Sequence, residues 1–208
     1  MDLEFLNKQL NELLEGKEVE VPRFDFKTGN RIFEGNKLRL EDKDILIMEG
    51  IHALNPEMTS AVDDSRIFRV YVSALTSLNI DENNNMSTSD NRLLRRMVRD
   101  NRVRGITPEE TIMRWNSVRR GESKNIFPFQ ENADALFNSA LIFELPMLKY
   151  YAEPLLRRIA PNSPAYTEAV RLLKFLDYIV ELQPSEIAAI PPTSIMREFI
   201  GGQTLTRD

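Results

Sequence analysis

The sequence predicts an α/β protein: a mainly parallel sheet with flanking helices. Three observations carry that reading. DILIMEGI at residues 44–51 is an apolar run without polar alternation, the pattern of a strand buried on both faces under helices. Strand-like segments alternate with segments of helical periodicity along most of the chain. With 208 residues, 42% of them hydrophobic and 28% charged, the chain is long and apolar enough for a sizeable core.

The elements follow in order. Leu3, Leu6, Leu10, Leu13 and Leu14 recur at helical spacing and Gly16 sits where a C-terminal cap belongs, which predicts an amphipathic helix over residues 2–15. Residues 19–40 hold short alternating segments around two turn signals, Thr28-Gly29-Asn30 and Glu34-Gly35-Asn36, and read as a hairpin or extended loop. The apolar run follows, then a second strand over residues 66–72 and a polar, Asn-rich loop over residues 77–91. Ser89 or Asp90 caps a helix running to about Arg104, with Leu94, Met97 and Val98 inward. Thr107-Pro108-Glu109-Glu110 combines a capping box with proline at the first helical position; this helix turns Ile112, Trp115 and Val118 inward and stops at Gly121. A strand over residues 135–143 and a helix over 146–159 come next. Ser163-Pro164 opens a long helix with Tyr166, Val170, Leu173, Leu176 and Val180 on one face, and a tail containing Ile190-Pro191-Pro192 and Gly201-Gly202 ends the chain.

Composition excludes several chemistries. Cysteine is absent, which removes disulfides, thiol nucleophiles and thiolate metal sites, and points to a reducing cytoplasm. His52 is the single histidine, so a multi-histidine zinc site cannot form within the chain. No apolar run reaches the roughly 20 residues of a membrane span. The net charge of −5 is unevenly placed: residues 92–124 hold ten basic and four acidic residues, a local +6 against −11 elsewhere. One concentrated basic segment in an acidic chain favours a phosphate-bearing small ligand over long nucleic acid.

Three constellations bear chemistry. Arg92, Arg95, Arg96 and Arg99 share one helical face, and Arg102 and Arg104 extend it. Like charges at that spacing cost about 0.2–0.5 kcal/mol per pair in an isolated helix. A counter-anion offsets this, and guanidinium is the preferred fork for phosphate oxygens; pairing with the chain's own acids would offset it equally well. Glu49 ends the apolar strand, where α/β folds place metal and ligand chemistry, while His52, three residues on, has no visible partner. In FDFKTGNR, residues 24–31, aromatics could stack on a base while Asp25 and Arg31 bond polar groups. None of the eight glycines opens a G-x-x-x-x-G-K-[ST] phosphate loop, and G-x-S-x-G, H-E-x-x-H and G-x-G-x-x-G are absent too.

The stretches PRFDFKTGNR, DILIMEGIHAL, DNRLLRRMVRDNRVRG and NIFPFQENADALFNSAL, in this order, resemble the phosphoribulokinase/uridine kinase family of P-loop kinases. The resemblance is closest to the larger bacterial uridine-kinase-like proteins, in which a kinase module follows other domains. It implies a P-loop-kinase-like sheet that is incomplete at its N-terminus, since the Walker loop and the aspartate base would precede this chain's start. It further implies a kinase-like domain over residues 1–160 and a C-terminal helical extension over 161–208. By the resemblance, Arg96, Arg99 and Arg104 are catalytic arginines that clamp nucleotide phosphates, with Arg95 and Arg102 as secondary phosphate ligands. Asp25, Phe26 and Arg31 belong to the acceptor-binding hairpin, and Glu49 lies near Mg2+ and its waters. ATP and Mg2+ are then cofactors of the full-length parent, none of them held tightly by this chain, which lacks activity alone.

The chain departs from the family in places. Phe24 and Gly29 stand where uridine kinases carry a tyrosine and a histidine, leaving the acceptor open between a nucleoside-like and a sugar-like hydroxyl. Ile106 replaces the second lid arginine, with Arg102 offered from a shifted position. Two other classes stay open on the residues alone: a non-catalytic module whose basic helix binds RNA or another polyanion, and an oligomerisation piece using the long helix after Ser163. A sheet lacking a central strand leaves an edge at residues 45–51, which predicts either a homodimer across that edge or a rearranged sheet.

Overall fold

A computed structural model describes residues 2–25, 29–76, 82 and 87–204. The chain is a mixed α/β protein and divides into two units: residues 1–71 with 121–136, and residues 72–120 with 137–208.

In the first unit, helix α1 (Leu3–Leu14) is capped by the Asp2 carboxylate, which accepts the Phe5 N–H at 3.0 Å. Leu10 and Leu13 face inward. Gly16 leaves the helix at φ +74°, and its N–H reaches the Leu13 carbonyl, the glycine exit that the leucine spacing predicts. Buried Asn7 donates to the carbonyls of Leu3 and Glu57 and accepts the Ala61 N–H, tying α1 to the turn at residues 56–61. Two antiparallel ribbons follow, β1 (Val19–Glu20) with β4 (Lys37–Leu38) and β2 (Arg23–Asp25) with β3 (Asn30–Ile32), in the predicted hairpin region.

The apolar run at residues 44–51 corrects its prediction. No strand forms there, and Ile45, Ile47 and Ile51 are 87%, 86% and 65% exposed. A strand buried on both faces exists only where neighbours pair its edges and helices cover it; among the described residues nothing pairs with this segment. Strand β5 (Val70–Ser73) pairs with β6 (Ala135–Asn138): the Asp134 and Ala135 N–H groups bond the Arg69 carbonyl and the Ser139 N–H bonds the Ser73 carbonyl, a parallel ladder. That parallel pair is consistent with a P-loop-kinase-like sheet. The Asn138 side chain extends it by bonding the Leu75 N–H and carbonyl, both at 2.9 Å.

The second unit is built on helix α2 (Thr88–Arg104), packed against α4 (Glu144–Leu156), which in turn packs on α5 (Tyr166–Leu176). Leu93, Leu94, Met97, Met147, Leu148, Leu172 and Leu176 are fully buried between them. Helix α3 (Pro108–Asn125) opens with the predicted capping box, the Thr107 hydroxyl accepting the Glu110 N–H and the Glu110 carboxylate accepting the Thr107 N–H. It continues through Gly121, where the interior-glycine cost of about 1 kcal/mol does not end it. Two short helices that the sequence left as tail, α6 (Pro184–Ala188) and α7 (Met196–Ile200), complete the unit, with Met196 and Phe199 buried against α2.

The inward face of α5 also differs from prediction. Ala165, Ala169, Leu172 and Leu176 face the core, whereas Tyr166 is partly exposed and Val180 is 86% exposed. The helix ends at Leu176, and Lys149 donates to the freed carbonyls of Leu176 and Ile179 at 2.9 and 2.8 Å, so the predicted stripe never reaches Val180.

Candidate functional site: the arginine face of α2

Helix α2 owes its form to its ends and its stripe. Gly105 closes it in the left-handed region at φ +64°, with its N–H on the Asp100 carbonyl. The apolar residues at 93, 94, 97 and 98 then fix which way each arginine points.

The six arginines do not act as one face. Arg95 turns inward: its guanidinium forks onto both carboxylate oxygens of buried Glu144 and stacks 5.2 Å from the centre of the Phe199 ring. Glu144 also accepts the Leu141 N–H, so this pair is a satisfied core element. Arg102 reaches α7, donating to the carbonyls of Phe199 (2.9 Å) and Glu198 (2.7 Å), the last-turn acceptors of a short helix.

Arg96, Arg99 and Arg104 converge. The carboxylate of Asp100, 1% exposed, takes Arg96 Nε at 3.2 Å, Arg99 Nε at 3.2 Å and Arg104 Nη1 at 3.0 Å. Three positive charges meet one negative charge, and the three guanidinium side chains stay 32%, 26% and 52% exposed, with N–H donors remaining for an outside acceptor. Arg99 Nη1 also lies 3.3 Å from Glu198. Sequence reasoning missed Asp100, Glu144 and Glu198. Asp100 carried a signal, since it stands four residues from both Arg96 and Arg104; the other two lie far along the chain and carried none.

Two cavities flank α2. One of about 130 Å³ sits at the carboxyl ends of β5 and β6, lined by Leu75, Thr76, Asn91, Asn138, Leu141 and Glu144. Asn91 donates to the Thr76 hydroxyl at 3.1 Å, while its buried Oδ1 has no donor among the described residues. The other, about 560 Å³, is lined by Asp90, Trp115, Arg119, Glu168 and Arg171 among others. There Arg171 bridges Asp90 and Glu168; its hydrogen bond is the main cause holding the Glu168 carboxyl below the usual range.

The remaining predicted residues lie in the first unit. Asp25 ends β2 opposite Asn30, and its carbonyl accepts the Gly29 N–H. Arg31 pairs with Asp2 at 2.9 Å and stacks 4.6 Å from the Phe5 ring centre. Phe26 lies outside the described residues. Glu49 is an exposed carboxylate in the extended segment. Among the described residues no three acidic or imidazole groups gather to hold an ion. The α2 cluster fits phosphate on its donor chemistry.

Residues 1–142 match the phosphoribulokinase/uridine kinase family, and the chain belongs to it. It is 32% identical over 136 residues to a uridine kinase of Staphylococcus epidermidis, covering 65% of this chain and 57% of that one. A uridine kinase of Halalkalibacterium halodurans is 34% identical over 119 residues, 57% of this chain and 48% of its own length. One of Streptococcus equi subsp. zooepidemicus is 32% identical over 117 residues, 56% and 48%. The chain thus spans about half the length of these curated relatives. No solved structure matches it. No helix among the described residues is long and apolar enough to cross a membrane.

Proposed function

We propose that this chain is part of an ATP-dependent, uridine-kinase-type phosphotransferase of the cytoplasm, acting on a nucleoside-like or sugar-like hydroxyl. One observation carries the reading: three half-exposed guanidiniums of the family-matched segment are fixed on a single buried carboxylate. In-line phosphoryl transfer asks a protein chiefly for positioning and for positive charge at the equatorial oxygens, and such a cluster supplies both. Asp100 restrains the three side chains before any ligand arrives, so less rotamer freedom is lost on binding. Arg96, Arg99 and Arg104 grip nucleotide phosphates, and Asp25, Phe26 and Arg31 serve the acceptor.

Arg95 and Arg102 are assigned to the architecture around the cluster, as their intramolecular partners support. Mg2+, when bound with the nucleotide, would neutralise phosphate charge, and Glu49 is the residue proposed to lie near it. We further propose that the exposed segment at residues 45–51 mediates self-association.

The test is binding of ATP by the 208-residue chain. Titration calorimetry should show association that weakens about thirtyfold or more in Arg96→Gln/Arg104→Gln, since each of the two charged hydrogen bonds contributes about 1 kcal/mol or more. No phosphorylation of uridine is expected, because these residues contain no G-x-x-x-x-G-K-[ST] loop. Equal ATP affinity in the double variant overturns the assignment of the arginines. A steep salt dependence with RNA exceeding that with ATP would favour a polyanion binder instead.

A further inference from the structure

We infer that Glu198 is a built-in, displaceable anion that competes with phosphate for Arg99, so that the C-terminal helix α7 sets how readily the α2 cluster is occupied. The inference rests on the phosphate-gripping reading of the cluster and deepens it. It concerns a residue beyond the family-matched segment, which ends at residue 142.

The argument begins with how differently the parts of α7 are held. Its body is anchored: Met196 is fully buried, Phe199 is buried under Arg95, and Arg102 binds the carbonyls of Glu198 and Phe199. Arg197 adds bonds to the carbonyls of Ala188 and Ile190. A side chain at Gly201 would press on Arg102, with its Cβ 3.2 Å from Nη1. The Glu198 carboxylate is held far more lightly. It makes one long contact, 3.3 Å to Arg99 Nη1, and its side chain is 38% exposed. It can therefore swing into water without undocking the helix that carries it.

The consequence is electrostatic. With Asp100 alone, the three cluster arginines present a net +2; with Glu198 in place they present +1. A polyphosphate approaching Arg99 must either turn that carboxylate aside or bind next to its negative charge. Because the carboxylate and a phosphate are both anionic acceptors for the same guanidinium, each weakens the hold of the other on Arg99. A partly exposed pair of this kind is worth a factor of about two to five in a binding constant, enough to tune occupancy without closing the site.

The experiment uses the 208-residue chain and inorganic tripolyphosphate, followed by calorimetry at low ionic strength in wild type, Glu198→Gln, Arg99→Gln and the double variant. Circular dichroism confirms that α7 stays docked. Glu198→Gln should bind roughly two- to fivefold tighter than wild type, and the gain should vanish in the Arg99→Gln background. A gain of equal size without Arg99 would mean a general charge effect and overturn the inference. Unchanged affinity in Glu198→Gln, with Arg96→Gln still weakened, overturns the inference while leaving the phosphate reading intact. If wild type and Glu198→Gln both fail to bind tripolyphosphate, the phosphate reading fails and this inference fails with it.

Discussion

At Asp100 three part-exposed guanidiniums meet one buried carboxylate, while at Glu144 one buried guanidinium meets one buried carboxylate. The two arrangements respond differently to loss of the acid. Glu144→Ala strands Arg95 as a buried charge without its partner, and urea unfolding should show a loss of about 3 kcal/mol or more. Converting the pair together, Arg95→Met with Glu144→Leu, should recover most of it, because the cost lies in the uncompensated charge. Asp100→Asn leaves arginines that can turn to solvent, so its stability loss should be smaller, about 1–2 kcal/mol. ATP affinity should still fall, as the guanidiniums lose their anchor. If Asp100→Asn destabilises more than Glu144→Ala, the cluster is structural before it is a phosphate grip. The arginine spacing was legible in the sequence; which arginines turn inward was not, because that depends on Glu144 and on Phe199, 49 and 104 residues beyond Arg95 in the chain.

Elements with local punctuation were the most legible. The Gly16 exit of α1 and the capping box of α3 each act within one turn of helix, so residue identity and spacing suffice to place them, whereas α2 opens at Thr88 after Ser87, ahead of the predicted cap at Ser89 or Asp90. The face of α5 was not legible, since both stripes are apolar and the choice falls to contacts with α4 and to the Lys149 cap. The capping box gives a pH prediction. The Thr107 backbone N–H, and then its hydroxyl, hold the Glu110 carboxyl below the usual carboxylate range. A lowered folded value means the contribution is complete above the unfolded value, near 4.3, and is lost as pH falls through the folded one. Amide exchange at the first turn of α3 should accelerate across that window, and Glu110→Gln should abolish the pH dependence. Gly105→Ala should cost about 1 kcal/mol, since alanine must adopt a left-handed backbone there.

At the scale of the whole molecule, the sequence announced a buried strand and the chain leaves it bare. The apolar pattern at residues 44–51 reports what the segment would bury given neighbours, and periodicity carries no information on whether those neighbours exist. Ile45, Ile47 and Ile51 stand exposed. Single exposed apolar residues are ordinary, but an extended apolar run without ladder partners presents free backbone donors beside its side chains. Covering each isoleucine is worth about 1.5–3 kcal/mol, so three of them together supply up to about 9 kcal/mol toward an association cost of about 4–15 kcal/mol. Sedimentation of the 208-residue chain should therefore show concentration-dependent association in the micromolar range. Ile47→Lys should push the midpoint up by about tenfold or more, one buried isoleucine being enough for that factor, whereas Glu49→Gln in the same segment should leave association at least as strong. A wild-type chain that sediments as a monomer throughout, with residues 45–51 still open to rapid amide exchange, would show that this segment is tolerated bare and that the exposed run recruits no second copy.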